Sequence, residues 1–341
     1  MAALLHAPYC ADQATQRTVT VLENVRLARD TYRVRFGFPE LARRITPGQF
    51  LMLRLAGGAD PLLGRPLALY DAVHDPLAAQ ESPPPSTAQT SMSSQSPTAF
   101  QSPVASQSPV EGQAQTSFPS SASSSPAPNA VDVVYLVKGR MTSRLMHYLP
   151  GQTLDVWGPL GNGFPPQETD HLVMVAGGIG QTPFLALAAE HLGLRRYGEP
   201  ARQVPRVKRV TFCYGARSAG YLAAVEDFER LGVEVKIATD DGSRGRRGFV
   251  TELLRETLAE AGTVGSRPRV VCCGPEAMME RASAIAAEFD APCQVSLETP
   301  MACGIGICFT CVAKVRDDQG GWDYKRTCVE GPIFDAERIE W

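Results

Sequence analysis

Four cysteines near the C-terminus fall in the order Cys303-x4-Cys308-x2-Cys311-x16-Cys328, threaded with glycines as CGIGICFTC. This is the ligand spacing of a plant-type 2Fe-2S cluster, in which three thiolates come from one tight loop and the fourth from a later segment. Such a cluster passes single electrons, so the chain reads as an electron relay. Two irons bridged by two sulfides and held by four thiolates carry net negative charge. Gly304 and Gly306 can offset it, because glycine tolerates the positive φ angles that turn backbone N–H groups toward sulfur. Structural zinc also takes four cysteines, but usually as two CxxC pairs, and only Cys308/Cys311 forms one here. Disulfides are not expected, since no secretory signal opens the chain and its nine cysteines are an odd number. The other five (Cys10, Cys213, Cys272, Cys273 and Cys293) are read as small buried hydrophobes or incidental residues.

The elements that must position this loop fall into two patterns. From Arg17 to about Pro159 the chain is a series of short β-rich runs: VTVLENVRLA, TYRVRFGF, GQFLMLRLA, PLALYDAV, VDVVYLVKG and QTLDVWGPLG. Closely spaced strands without a long helical pattern predict a small antiparallel barrel. After Pro165 the pattern becomes strand, glycine turn and helix in HLVMVAGGIGQTPFLALAAEHL, and the alternation continues to RVVCCGPEAMMERASAIAAEF. That predicts a Rossmann-like parallel α/β sheet. The expected domains are an N-terminal extension over 1–16, the barrel over 17–160, the nucleotide-binding α/β unit over 161–292, and a cluster-binding unit over 293–341.

Three further sites can be extracted. In Gly64-Arg65-Pro66-Leu67-Ala68-Leu69-Tyr70, an arginine beside a rigid proline suits bidentate pairing with a pyrophosphate. The run Val134 to Ser143 could supply backbone and hydroxyl contacts where a strand gives way to a helix, or be an ordinary strand with a helix cap at Thr142 or Ser143. In Ala176-Gly177-Gly178-Ile179-Gly180-Gln181-Thr182-Pro183 a strand ends in glycines and Pro183 opens a helix, so that N–H groups face a dinucleotide pyrophosphate. Strand ends at Asp240-Asp241-Gly242 and Gly274-Pro275 would meet the same crevice.

Composition narrows the classes. The chain has 341 residues, a net charge of −3 and 44% hydrophobic residues, with no apolar run long enough to span a membrane and no nucleic-acid footprint. The N-terminus MAALLHAPYCADQ lacks the basic start and apolar core of a signal peptide, so a cytoplasmic location is expected. From about Pro76 to Asn129 the chain is dominated by Ser, Pro, Ala and Gln and repeats QSPTAF, QSPVAS, QSPVEG. It is read as a disordered insert in the barrel, or alternatively as a Pro-rich docking tract. The histidines (His6, His74, His147, His171, His191) show no pairing pattern, and no side chain stands out as an acid or base.

Taken with GRPLALYD, LDVWGPLGNGF, VAGGIGQTPF, CYGAR, TDDGSRGRRGFVTELL, CCGPEAMM and MACGIGICFTCVAKV…YKRTCVEGPIF, the chain resembles the ferredoxin–NADP reductase superfamily. Within it, the resemblance is to the electron-transfer subunit of class 1B dihydroorotate dehydrogenase. The resemblance implies that Arg65, Pro66, Leu67, Ala68, Val134, Tyr135, Leu136, Met141 and Thr142 hold FAD. It implies that Gly177, Gly178, Gly180, Thr182, Pro183, Gly274 and Pro275 hold NAD+, and that Cys303, Cys308, Cys311 and Cys328 hold the cluster. Ala68 departs from the family's usual Ser or Thr, leaving only a backbone N–H near the flavin N5. Met141 departs from its usual Gly and narrows room near the pyrophosphate. A catalytic partner with FMN would oxidise dihydroorotate in pyrimidine biosynthesis, in a heterotetramer of two catalytic and two electron-transfer subunits. Electrons would then cross the cluster to FAD and leave as a hydride to NAD+. Arg217 could reach a 2′-phosphate, but the family implies NAD. Two other readings stay open: an equivalent subunit of a transhydrogenase, a sulfide- or sulfite-linked enzyme or a hydrogenase, and a zinc-holding regulatory or scaffold protein.

Overall fold

Alternation of apolar and polar residues builds the first layer. In the computed structural model, which describes residues 11–58, 60–78 and 126–341, Val34 and Phe36 of β2 (Thr31–Gly37) are fully buried. Arg35, between them, faces the other way and makes a bidentate pair with Asp132 across the sheet at 2.7 and 2.8 Å. Val19 and Val21 repeat this period-two spacing in β1 (Thr15–Ala28), and β3 (Phe50–Leu55), β4 (Arg65–Ala68), β5 (Asp71–Val73), β6 (Ala130–Leu136) and β7 (Thr153–Leu160) complete the layer. The seven strands form one curled antiparallel sheet in the order β4-β3-β7-β1-β2-β6-β5, with β4 coming back against β6. The expected barrel is thus an open half-barrel, since its edge strands β4 and β5 are not hydrogen-bonded to each other. Helices α1 (Pro39–Arg44) and α2 (Arg140–Leu145) contribute Leu41, Ala42, Met141 and Leu145 to its core.

The second layer follows from continuous burial rather than alternation. Leu172 to Ala176 of β8 (His171–Gly177) are fully buried, as a strand covered on both faces must be. One face packs on α3 (Phe184–His191) and α4 (Val225–Arg230), the other on α5 (Val250–Thr263) and α6 (Glu276–Glu288). With β9 (Arg209–Ala216), β10 (Glu234–Thr239), β11 (Arg246–Arg247), β12 (Pro268–Cys273) and β13 (Cys293–Ser296), the order is β11-β10-β9-β8-β12-β13, all parallel. The chain runs outward from β8 through β9 and β10, then returns to β12 on the other side. That reversal places a crevice at the carboxyl ends of β8 and β12. A last strand, β16 (Ile333–Asp335), joins β13 antiparallel.

The C-terminal segment bridges the layers. After β13 it crosses to the outer face of the half-barrel, forms the cysteine loop, then makes a two-stranded sheet of β14 (Val312–Arg316) and β15 (Trp322–Arg326). Cys311, Cys328 and Val329 pack there on Phe50, Met52 and Leu160. The Ser/Pro-rich stretch read as disordered lies outside the described residues, apart from its ends at 76–78 and 126–129. Those ends are pinned together: Asp75 N–H donates to Asn129 Oδ1 at 2.7 Å, and Asn129 Nδ2 donates to the Asp75 carbonyl at 2.9 Å. Among the described residues, no helix is long and apolar enough to cross a membrane.

Candidate redox site

The loop from Cys303 to Cys311 brings its thiols to Cys328. Cys311 and Cys328 Sγ lie 3.1 Å apart, and Cys303 lies close enough to Cys308 to help lower its thiol. Gly304 and Gly306 adopt φ of +74° and +82°, a turn closed to most side chains. The Ile305 N–H is aimed at Cys303 Sγ at 3.4 Å. Thr310 Oγ1, 3.2 Å from Cys308 Sγ, lowers that thiol to about 6. Cys328 likewise lowers Cys311 to about 6, and is itself raised, because the pair shares one hydrogen bond. Four thiols arranged as two pairs, one thiol of each pair lowered, fit a two-iron cluster.

Beside this loop lies a cavity of about 600 Å³. Arg65, Pro66, Leu67 and Ala68 from β4 form one wall, and Val134, Tyr135, Leu136 and Thr142 another. Arg65 suits a phosphate: among the described residues its guanidinium bonds only to the carbonyls of Leu63 and Gly64, at 3.2 and 3.0 Å. Met141 is the exception in the expected flavin set. It is 1% exposed in the half-barrel core, away from the cavity wall, because it lies on the inward side of α2. Its bulk therefore takes no room from a flavin. Thr182 and Pro183, expected at the nicotinamide dinucleotide, line this cavity instead, because the turn after β8 folds back toward the half-barrel.

A second cavity of about 800 Å³ opens at the carboxyl ends of β8, β9, β10 and β12. Gly177, Gly178 and Pro275 line it. Nothing lies within 4 Å of where a Gly178 side chain would begin, at φ +57°, so a ligand can approach that backbone. Gly180 does another job: a Cβ there would stand 2.2 Å from the Cys273 carbonyl, so it lets the turn pack on β12. Gly274, at φ +149°, packs on Gly177 in the same way. Arg217 lines the cavity with its guanidinium 4.7 Å from the Tyr221 ring, and Arg29 stacks on the same ring at 5.2 Å. Leu136 and Ile179 line both cavities and form the partition between them.

Several lining residues escaped the sequence reading. Cys273, expected to be a core hydrophobe, is 4% exposed yet walls the flavin-side cavity, and burial raises its thiol. Cys213 and Cys272 are buried as expected, and Cys10 lies outside the described residues. Glu298 faces the same cavity. Its surface is open to the cavity, but protein encloses it, and that desolvation raises its carboxyl against the opposing charge of Lys138. Thr299, Pro300 and Met301 complete the wall and lead directly into Cys303. A crossing from β13 to the half-barrel leaves no local pattern, so no signal marked these residues.

Comparisons with known proteins agree with this arrangement. Residues 298–340 match the family described as the iron-sulfur cluster binding domain of dihydroorotate dehydrogenase B, and 174–284 the oxidoreductase NAD-binding domain. The chain is similar to the dihydroorotate dehydrogenase B (NAD(+)) electron transfer subunit of Caldanaerobacter subterraneus subsp. tengcongensis, 36% identical over 61% of this chain and 74% of the relative. It is 29% identical to that of Desulforamulus reducens over 94% of this chain and 97% of the relative. Among solved structures, an NADH-dependent reduced ferredoxin-NADP oxidoreductase shares the fold at TM-score 0.64 and 22% identity, covering 100% of this chain and 92% of that one. The ferredoxin reductase of a carbazole 1,9a-dioxygenase does so at TM-score 0.54 and 16% identity, covering 82% and 67%.

Proposed function

The chain belongs to the electron transfer subunits of dihydroorotate dehydrogenase B, and from that premise we propose that it links an FMN-bearing catalytic partner to NAD+ for dihydroorotate oxidation in pyrimidine biosynthesis. One observation carries the reading: the three sites are contiguous. Leu136 and Ile179 line both cavities, and Phe50 and Met301 belong both to the flavin-side cavity and to the packing around Cys311 and Cys328. FAD and a 2Fe-2S cluster supply, when bound, the exchange between single electrons and a hydride.

This chain's residues place and insulate those groups. Cys303, Cys308, Cys311 and Cys328 would hold the cluster, Arg65 to Ala68 with Val134 to Leu136 and Thr142 the flavin, and Gly177, Gly178 and Pro275 the nicotinamide dinucleotide. Cys273 and Ser296 wall the flavin-side cavity from the parallel sheet and Pro332 from the C-terminal segment. We assign 17–160 to the flavin, 161–292 to the nicotinamide dinucleotide and 293–341 to the cluster, and a cytoplasmic location.

The partner docks on the cluster. Cys308 is exposed, and Ile307 and Phe309 beside it are 73% and 63% exposed, an apolar rim next to the group that must receive electrons. A 2:2 assembly with the catalytic subunit follows from the family. Phe309 stands at φ +54°, a backbone that aspartate accepts more readily than most residues. Phe309→Asp should therefore retain iron and flavin yet weaken association by about 2 kcal/mol or more. Size-exclusion chromatography with the catalytic subunit checks this; undiminished co-elution would place the interface elsewhere. The reading as a whole is tested by dihydroorotate-dependent NAD+ reduction in the co-expressed complex. The activity should vanish in Cys308→Ser, while NADH still bleaches the flavin. A colourless parent protein with stoichiometric zinc would overturn the reading.

A further inference from the structure

The stretch LDVWGPLGNGF contains a residue that the roles above leave unused. Trp157 stands on β7, in register with Met52 of β3 and Gln16 of β1. Leu154 and Val156 of the same strand point into the half-barrel core, so Trp157 projects from the opposite face. There it joins Phe50, Met52 and Leu160 beneath the cysteine loop.

Two contacts set it apart from its apolar neighbours. Its indole Nε1–H donates to the carbonyl oxygen of Cys303 at 3.1 Å, the one hydrogen bond found for that carbonyl among the described residues. The far edge of the same ring lies on Gly64, where a Cβ would come within 2.6 Å of Cη2. Gly64 leads directly into Arg65 and the strand that walls the flavin-side cavity. A single rigid ring therefore spans from the first cluster cysteine to the flavin-holding strand. Apolar filling alone does not need this residue, since Phe50, Met52 and Leu160 already supply it. Of the large carbon-rich side chains only tryptophan adds a ring N–H that can fix a carbonyl's direction.

We propose that Trp157 is a positioning residue that sets the spacing between the cluster loop and the flavin-side cavity, and thereby the rate at which electrons pass between them. The inference rests on the reading of those two sites given above. Single-electron passage weakens steeply with separation, so a loop that lifts from the half-barrel conducts poorly even when its four thiolates stay in place. In the reverse direction NADH is oxidised to NAD+ and its hydride delivers two electrons and a proton to the flavin. One electron then reduces the cluster, and the other stays with the proton.

Anaerobic stopped-flow mixing of the flavin- and iron-loaded protein with NADH separates these steps. Trp157→Phe keeps a ring but loses the N–H, and Gly64→Ala displaces the ring from its far end. In both, flavin bleaching should stay within about twofold of the parent, since the partition at Leu136 and Ile179 is untouched. Cluster reduction should slow roughly tenfold, the factor that corresponds to about 1.4 kcal/mol from an unmade hydrogen bond. The electron paramagnetic resonance signal of the dithionite-reduced cluster should broaden as the loop samples more positions. Parental rates of cluster reduction in Trp157→Phe with full iron content would overturn the proposal. So would equal loss of flavin and iron in both variants, which would make the ring a general prop. If the parent itself lacked flavin or iron, the underlying site reading would fail instead.

Discussion

His171 opens β8 and His191 closes α3, and burial lowers each imidazole to about 4. Arg209 adds to the effect at the first, and Arg269 and Arg202 at the second. Unfolded histidines take up a proton near pH 6.5, so below that the unfolded chain binds more protons than the folded one. The stability present above pH 6.5 is therefore lost as pH falls toward about 4. His191→Gln should flatten this loss by on the order of 2 kcal/mol, and melting temperatures at about pH 7 and pH 4.5 read it directly. Identical slopes for parent and variant would refute the assignment. Gly304 makes a second test at this scale. Alanine there meets a positive φ and places Cβ 2.5 Å from Met52 Cγ. Gly304→Ala should cost about 1–2 kcal/mol from the backbone alone and lower the iron content, measured against unchanged flavin.

At the scale of elements, the run GRPLALYD joins two layers as well as walling a cavity. Beyond Ala68 it leaves β4, and Tyr70 donates from its hydroxyl to Asp227 of α4 at 2.6 Å. Asp71 accepts from the Tyr197 hydroxyl at 2.9 Å and from Arg195, both beyond α3. Tyr70→Phe should remove about 1 kcal/mol of attachment between the layers and raise the KM for NADH more than it lowers kcat. An unchanged KM would show that the angle between the layers is set elsewhere. The strands were legible because Val34 and Phe36 alternate with polar residues and Leu172 to Ala176 do not. The cysteine spacing and the glycine turn were legible because their chemistry is local. This clasp was not, since its partners lie 157 and 126 positions away in sequence. The same distance effect hid the crossing from β13 to the half-barrel, and with it Glu298 and Met301 on the cavity wall.

At the scale of the whole molecule, the cluster segment belongs to both layers at once. Its loop rests on β3 and β7, while β16 extends the parallel sheet beside β13. Thr299 and Thr327 meet through their hydroxyls at 2.5 Å, joining the cavity wall to the segment that carries Cys328. Unfolding followed by flavin fluorescence and by the cluster's visible absorbance should therefore show one shared midpoint, and an earlier loss of the cluster signal would argue against this common seat. The clamp of Asp75 and Asn129 has a consequence of a different kind. It holds the departing and returning chain together just beyond the paired ends of β5 and β6. The paired ends of β5 and β6 are thus held by contacts of their own. The position behaves as a splice port: residues 79–125 could be exchanged for a short turn, an affinity tag or a fluorescent reporter, and the visible spectrum of the loaded protein should not register the exchange.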